Sequence, residues 1–230
     1  MDLSELVVGE FNGPLKGSDR AVLLAPSAGT GRDAPVLVAV ANYLAQLGIP
    51  SLRFDYPYRV AGRRVPDQPA VLEATTRAAA LELSQKTGLG PGRLVLGGRS
   101  MGGRYASMLV GSTVDPLLAL GLLLLSYPLH PVGKPEKLRD AHFSTISVPV
   151  LCISGTRDAL APRLALETAS KKFSGPKSIH WLDTADHSYK PLKRSGISPE
   201  EVVAEVALVA GNWVANLPIS LTFTAKRYRS

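Results

Sequence analysis

The sequence predicts an open, doubly wound α/β fold: a mostly parallel sheet with helices on both faces and no large lid. Three observations predict it. Aliphatic runs and amphipathic stretches alternate five times along the chain. The runs are continuously apolar rather than alternating in polarity, as strands are when helices cover both faces of a parallel sheet. The length of 230 residues suits one such domain, and no interior linker, repeat or low-complexity segment divides it, so a single domain is expected over 1–230.

The first run, AVLLAPSAGTG (Ala21–Gly31), ends in Pro, Ser and Gly, which reads as a buried strand followed by a turn. Ala34–Leu47 carries apolar residues at helical spacing, with Gly48 placed as a C-terminal cap. SLRFDYP (Ser51–Pro57) reads as the second strand, and Val71–Lys86 as a helix ended by Gly88. Arg93–Gly98 is a third strand and Met101–Gly111 the helix after it. LALGLLLLSYP (Leu118–Pro128) is a strand, and a link rich in Pro and charge leads to the strand VPVLCISG (Val148–Gly155). Pro162–Lys172 is helical, Lys177–Thr184 a strand, and Glu200–Leu217 a long final helix.

Composition narrows the function. With 45% apolar and 20% charged residues the chain can bury a sizeable core. Its net charge of +7 is spread along the chain, with short clusters only at Lys190–Arg194 and Lys226–Arg229. No aromatic residues are interleaved as a stacking platform, so a solvated surface is expected and no nucleic-acid partner. The start, MDLSELVVGEF, holds three acids and no long apolar stretch, unlike a secretory signal. LALGLLLLSYPL is too short to span a bilayer, so a cytoplasmic protein without a membrane partner is expected. The single cysteine, Cys152, rules out an intrachain disulfide and reads as a small buried hydrophobe.

In doubly wound sheets, reactive groups sit at the carboxyl ends of the strands. LVLGGRSMGGR contains Gly98-Arg99-Ser100-Met101-Gly102, a G-x-S-x-G pattern with a strand before it and a helix after it. That is the setting of a nucleophile elbow, where glycines let strand and helix approach around a strained serine. The competing reading, a phosphate-binding turn, calls for G-x-G-x-x-G after the first strand, and that spacing is missing.

A serine hydroxyl needs a base to take its proton and an acid to orient the base. Asp158 ends the run VLCISGTRD and His187 follows IHWLDTAD, both after predicted strands and in the order Ser, Asp, His. Asp55 is the second-choice acid. Asp183 and Asp186 suit turn or cap roles, His180 a packing role, and His130 and His142 at most line the site. The oxyanion donors expected are the backbone N–H groups of Met101 and Ala28, with Ser27 as the alternative to Ala28. Arg99 and Arg104, flanking the elbow, either steer an acidic substrate or belong to a solvated, salt-bridged surface.

With APSAGTG, LRFDYPY, GGRSMGGR, LSYPLHPVGKPEKLRD, SGTRD and IHWLDTADHSY in order from about residue 21 to residue 190, the chain resembles an α/β-hydrolase. More narrowly, it resembles the family that includes testis-expressed protein 30 and the hydrolase-like domain of NSL-complex subunit 3. The resemblance implies an α/β-hydrolase fold and carries the triad onto Ser100, Asp158 and His187. Many α/β-hydrolases have His-Gly where this chain has Pro26-Ser27. The expected function is a serine esterase or thioesterase on small acyl esters, without a cofactor or metal. The alternative is a non-catalytic scaffold on the same fold.

Overall fold

The computed structural model describes residues 7–219, so the expectation for the Lys226–Arg229 cluster, and most of that for Met1–Phe11, lies outside the described residues. Seven strands form one sheet in the order β1-β3-β2-β4-β5-β6-β7. They are β1 (Val8–Asn12), β2 (Ala21–Ala25), β3 (Ser51–Asp55), β4 (Leu94–Arg99), β5 (Gly121–Leu125), β6 (Val150–Gly155) and β7 (Lys177–Leu182). All neighbours are parallel except β1, which runs antiparallel to β3 with Val8 opposite Asp55 and Asn12 opposite Ser51.

The aliphatic runs explain the layering. Every residue of β2, β5 and β6 is buried, and successive side chains point to opposite faces. Leu23, Leu96, Leu122 and Leu124 enter the core under α3 (Pro69–Thr87), α4 (Met101–Val110) and α5 (Arg163–Ser170). Leu24, Val95, Leu123 and Ile153 enter the opposite core under α1 (Pro35–Gln46) and α6 (Pro199–Ala215). The two-faced burial expected from unbroken apolar runs is therefore present.

The helix ends follow local chemistry. Gly48, at φ +73°, sits just past α1; its N–H donates to the Ala45 carbonyl and that of Ile49 to Leu44, the paired bonds of a Schellman cap. At α6, Ser198 and Glu201 form a reciprocal capping box. Helix α3 begins two residues before the expected Val71 because Pro69 is tolerated in a first turn, where no N–H acceptor is needed.

Two elements were not expected. β1 lies at the sheet edge with an exposed and half-buried VGEFN sequence, so it carries no apolar run to read. The short helix α2 (Pro57–Val60) follows β3 directly. The link between β5 and β6 folds onto the core rather than forming a lid: Phe143 is fully buried and stacks on Phe173 with ring centroids 4.1 Å apart. Among the described residues no helix is long and apolar enough to cross a membrane.

Candidate active site

Ser100 occupies the single residue between β4 and α4, at φ 50° and ψ −111°, a conformation that costs a non-glycine residue energy and persists only where the surroundings enforce it. The Ser100 N–H donates to the Leu125 carbonyl at 2.8 Å, and its own carbonyl accepts from the Arg104 N–H at 3.0 Å. The glycines make the turn possible. A Cβ on Gly97 would meet the Leu123 carbonyl, and one on Gly98 or Gly102 the Ala25 backbone. One on Gly103 would lie 2.7 Å from the Gly98 carbonyl oxygen. Helix α4 thus crosses the ends of β2 and β4 in backbone contact, and the turn presents Ser100 at the carboxyl edge of the sheet.

Asp158 follows β6 and His187 follows β7, at the same edge. The Ser100 Oγ lies 3.0 Å from His187 Nε2, and His187 Nδ1 lies 2.8 Å from Asp158 Oδ2 and 3.0 Å from Oδ1. A carboxylate only accepts, so Nδ1 carries the ring proton and Nε2 presents its lone pair to the serine hydroxyl. The Asp158 side chain is fully buried and that of His187 is 22% exposed. Asp158 Oδ1 also accepts from the Leu160 N–H at 2.8 Å. The three residues singled out from chain order are thus brought into one hydrogen-bonded line.

The histidine is held from both sides. Asp186 shapes its turn: Oδ1 accepts from the N–H groups of Ser188 at 2.7 Å and Lys190 at 3.0 Å, the turn role expected of it. Asp183 accepts from the Thr184 N–H next to it. Among the described residues Arg99 forms no salt bridge; it is partly exposed, its Nη2 donates to the His187 carbonyl at 3.1 Å, and its guanidinium lies over the Tyr189 ring. Asp55 sits away from His187, accepting from the Arg32 N–H at 2.8 Å and pairing with its guanidinium at 3.2 Å. His180 pairs with Glu205 of α6 at 2.7 Å instead of packing.

The loop after β2 is tied down by bonds that sequence reasoning missed. The buried Tyr58 hydroxyl, kept protonated as burial pushes its pKa up, donates to the Ala28 carbonyl at 2.7 Å. Arg53, 2% exposed, reaches the Arg32 carbonyl at 2.7 Å and Glu10 at 2.7 Å, joining this loop to β1. Among the described residues the N–H groups of Ala28 and Met101 have no acceptor. Ala28, Ser100 and Met101 together line a cavity of about 400 Å³; Ser27 does not line it, its hydroxyl being engaged with Thr30 at 2.9 Å. His130 lines the same cavity and His142 an adjoining one. Cys152 is buried, with its thiol pushed up to about 12 by burial.

A family model described as alpha/beta hydrolase domain matches residues 18–215. Among solved structures, a dienelactone hydrolase from Anabaena variabilis is 20% identical over 92% of each chain, with a TM-score of 0.71. An alpha-beta serine hydrolase homologue from Coxiella burnetii is 14% identical over 90% of each chain, at 0.67. Est1E from Butyrivibrio proteoclasticus, with ferulic acid bound, is 15% identical, covering 91% of this chain and 96% of its own, at 0.67. At these identities the likeness speaks for the fold alone.

Proposed function

The chain belongs to the alpha/beta hydrolase domain family, and from that premise we propose that it forms one domain acting as a serine hydrolase on small carboxylic esters or thioesters. The observation that carries this reading is the unbroken line Ser100 Oγ, His187, Asp158, at 3.0 Å and 2.8 Å, opening on a cavity with two unengaged N–H groups. A binding module needs no such line.

In this mechanism Ser100 Oγ attacks the ester carbonyl while His187 Nε2 takes its proton. The bond to the leaving alcohol or thiol breaks as His187 returns that proton to it, leaving an acyl group on Ser100. Water then attacks in the reverse sense and releases the acid. Asp158 keeps the imidazole in the Nδ1–H form and stabilises its positive charge during transfer. The N–H groups of Met101 and Ala28 receive the oxyanion, with the Tyr58 bond to the Ala28 carbonyl fixing the adjoining peptide of the same loop. No cofactor enters any step.

The test is labelling by a fluorophosphonate probe of the folded wild-type protein beside Ser100→Ala. Labelling of the first and not of the second is expected. A folded wild type that does not react removes the reading.

A further inference from the structure

The cavity beside Ser100 is walled on one side by two arginines that form no ion pair among the described residues. Arg104 stands one helical turn beyond Ser100 on α4, and Arg139 comes from the link between β5 and β6; both line the cavity. Each guanidinium carries five N–H donors. Among the described residues the Arg104 side chain makes no hydrogen bond, and Arg139 makes one long bond, 3.5 Å to the Pro128 carbonyl. Among the described residues neither forms an ion pair, and both are only partly exposed.

Two of the nearby carboxylates are committed elsewhere. Asp67 pairs with Arg63 and accepts from the Tyr58 N–H, and Asp140 pairs with Lys172 at 2.8 Å. Glu73 faces the adjoining cavity, whose wall includes Arg104 and Arg139, without forming an ion pair. Burial first, and then the Arg104 charge, holds the Arg139 guanidinium below its ordinary value. Arg139 is nonetheless fixed in place: its N–H donates to the Leu129 carbonyl at 2.7 Å and its carbonyl accepts from the Tyr127 hydroxyl at 2.6 Å.

His130 adds a third group. It is 6% exposed, and its Nδ1 donates to the Pro131 carbonyl at 2.9 Å, which leaves a buried Nε2 with no partner. Buried polar atoms in folded proteins are nearly always satisfied, and an orphan calls for a ligand or water. Asp67 also lines this cavity, with its carboxylate paired to Arg63, and Leu72, Val132 and Leu160 supply an apolar stretch of the wall.

We propose that this cavity takes esters carrying an anionic group, a carboxylate or a phosphate, bound by the guanidiniums of Arg104 and Arg139 at the end of an apolar spacer; this rests on the serine-hydrolase reading above. Planar guanidiniums match such oxygens in paired, charge-assisted bonds. The apolar wall accommodates the chain joining that group to the ester carbonyl at Ser100.

The experiment compares 4-nitrophenyl hydrogen adipate with its methyl ester, which has the same chain without the charge, and with the 4-nitrophenyl ester of 6-phosphonohexanoic acid. A kcat/KM for an anionic ester above that of the methyl ester is expected, and the better of the two anions identifies the source. Arg104→Gln and Arg139→Gln should each lower the ratio of anionic to neutral kcat/KM by about 10- to 100-fold, with Arg139→Lys recovering part of it. Equal kcat/KM for charged and neutral esters, or a ratio unmoved in both glutamine variants, overturns the proposal.

A second measurement is independent of turnover. Adipate and inorganic phosphate are titrated into Ser100→Ala protein, with and without the arginine substitutions, by calorimetry. Binding that disappears in the substituted proteins supports the anion subsite even where the fluorophosphonate probe fails, in which case only the hydrolase reading falls. No binding of either anion to the parent protein counts against the subsite.

Discussion

Arg99, the last residue of β4, donates from Nη2 to the main-chain carbonyl of His187 at 3.1 Å. The residue next to Ser100 therefore also grips the loop that carries His187. Truncating it to Arg99→Ala frees that loop, and small misplacements of a reacting group cost rate steeply. A fall in kcat of about 10- to 100-fold is expected, with KM for 4-nitrophenyl acetate nearly unchanged and partial recovery in Arg99→Lys. A change confined to KM would mean that the side chain serves binding instead.

Asp158→Asn keeps the volume of the buried carboxyl while reversing its chemistry. The carboxamide can donate to Nδ1, which favours the imidazole form with its proton on Nε2, where it can no longer accept from Ser100. The rate of ester turnover and of fluorophosphonate labelling should drop by about 10³- to 10⁴-fold in a protein that still folds. An unaltered labelling rate would show that His187 is oriented without Asp158.

The crossing of α4 over β2 depends on missing side chains. In Gly98→Ala the new Cβ meets the Ala25 backbone at a residue already at φ +149°. This substitution should destabilise by about 3 kcal/mol or more. Gly90→Ala, where nothing lies within 4 Å, should change stability by less than about 0.5 kcal/mol. Urea unfolding midpoints of the two variants decide it.

His142 links stability to pH. Burial foremost, then the Arg104 charge, holds its pKa at about 4 rather than 6.5, against the opposing pull of Asp140. The unfolded chain thus takes up this proton near 6.5 and the folded chain only near 4. Between these values the unfolded state binds more protons, so stability is lost as pH falls through that window. His142→Gln, whose amide can replace the bond to Ser107 seen at 2.9 Å, should show a smaller difference in unfolding midpoint between about pH 7 and about pH 5. An identical difference in both proteins would assign the pH response to other groups.

What could be read from the sequence was what local chemistry dictates. The buried strands β2, β5 and β6 are legible because each is an aliphatic run. Ser100, Asp158 and His187 are legible because each comes shortly after a strand in hydrolase order, although β7 itself is largely exposed and half-buried. β1 was not, since VGEFN at a sheet edge has no apolar face to reveal it. Arg53 and Tyr58 escaped for a different reason: each ties down the loop after β2 from a distant position, through contacts that only the folded chain creates. Arg99 was singled out for its place beside the elbow, yet its partner, a backbone carbonyl, leaves no trace in residue type. His180 looked like a packing residue within a strand, and the Glu205 that engages it lies on a separate helix.

The link between β5 and β6 packs Phe143 into the core and leaves Ser100 and His187 partly open to solvent. An acyl group on Ser100 would wait in contact with bulk water rather than under a cover. Competing alcohols or amines would have to reach it ahead of the most abundant nucleophile present. On the proposed mechanism, a site of this shape would direct its intermediate toward hydrolysis and away from acyl transfer, and a partition experiment with added methanol would read that preference directly.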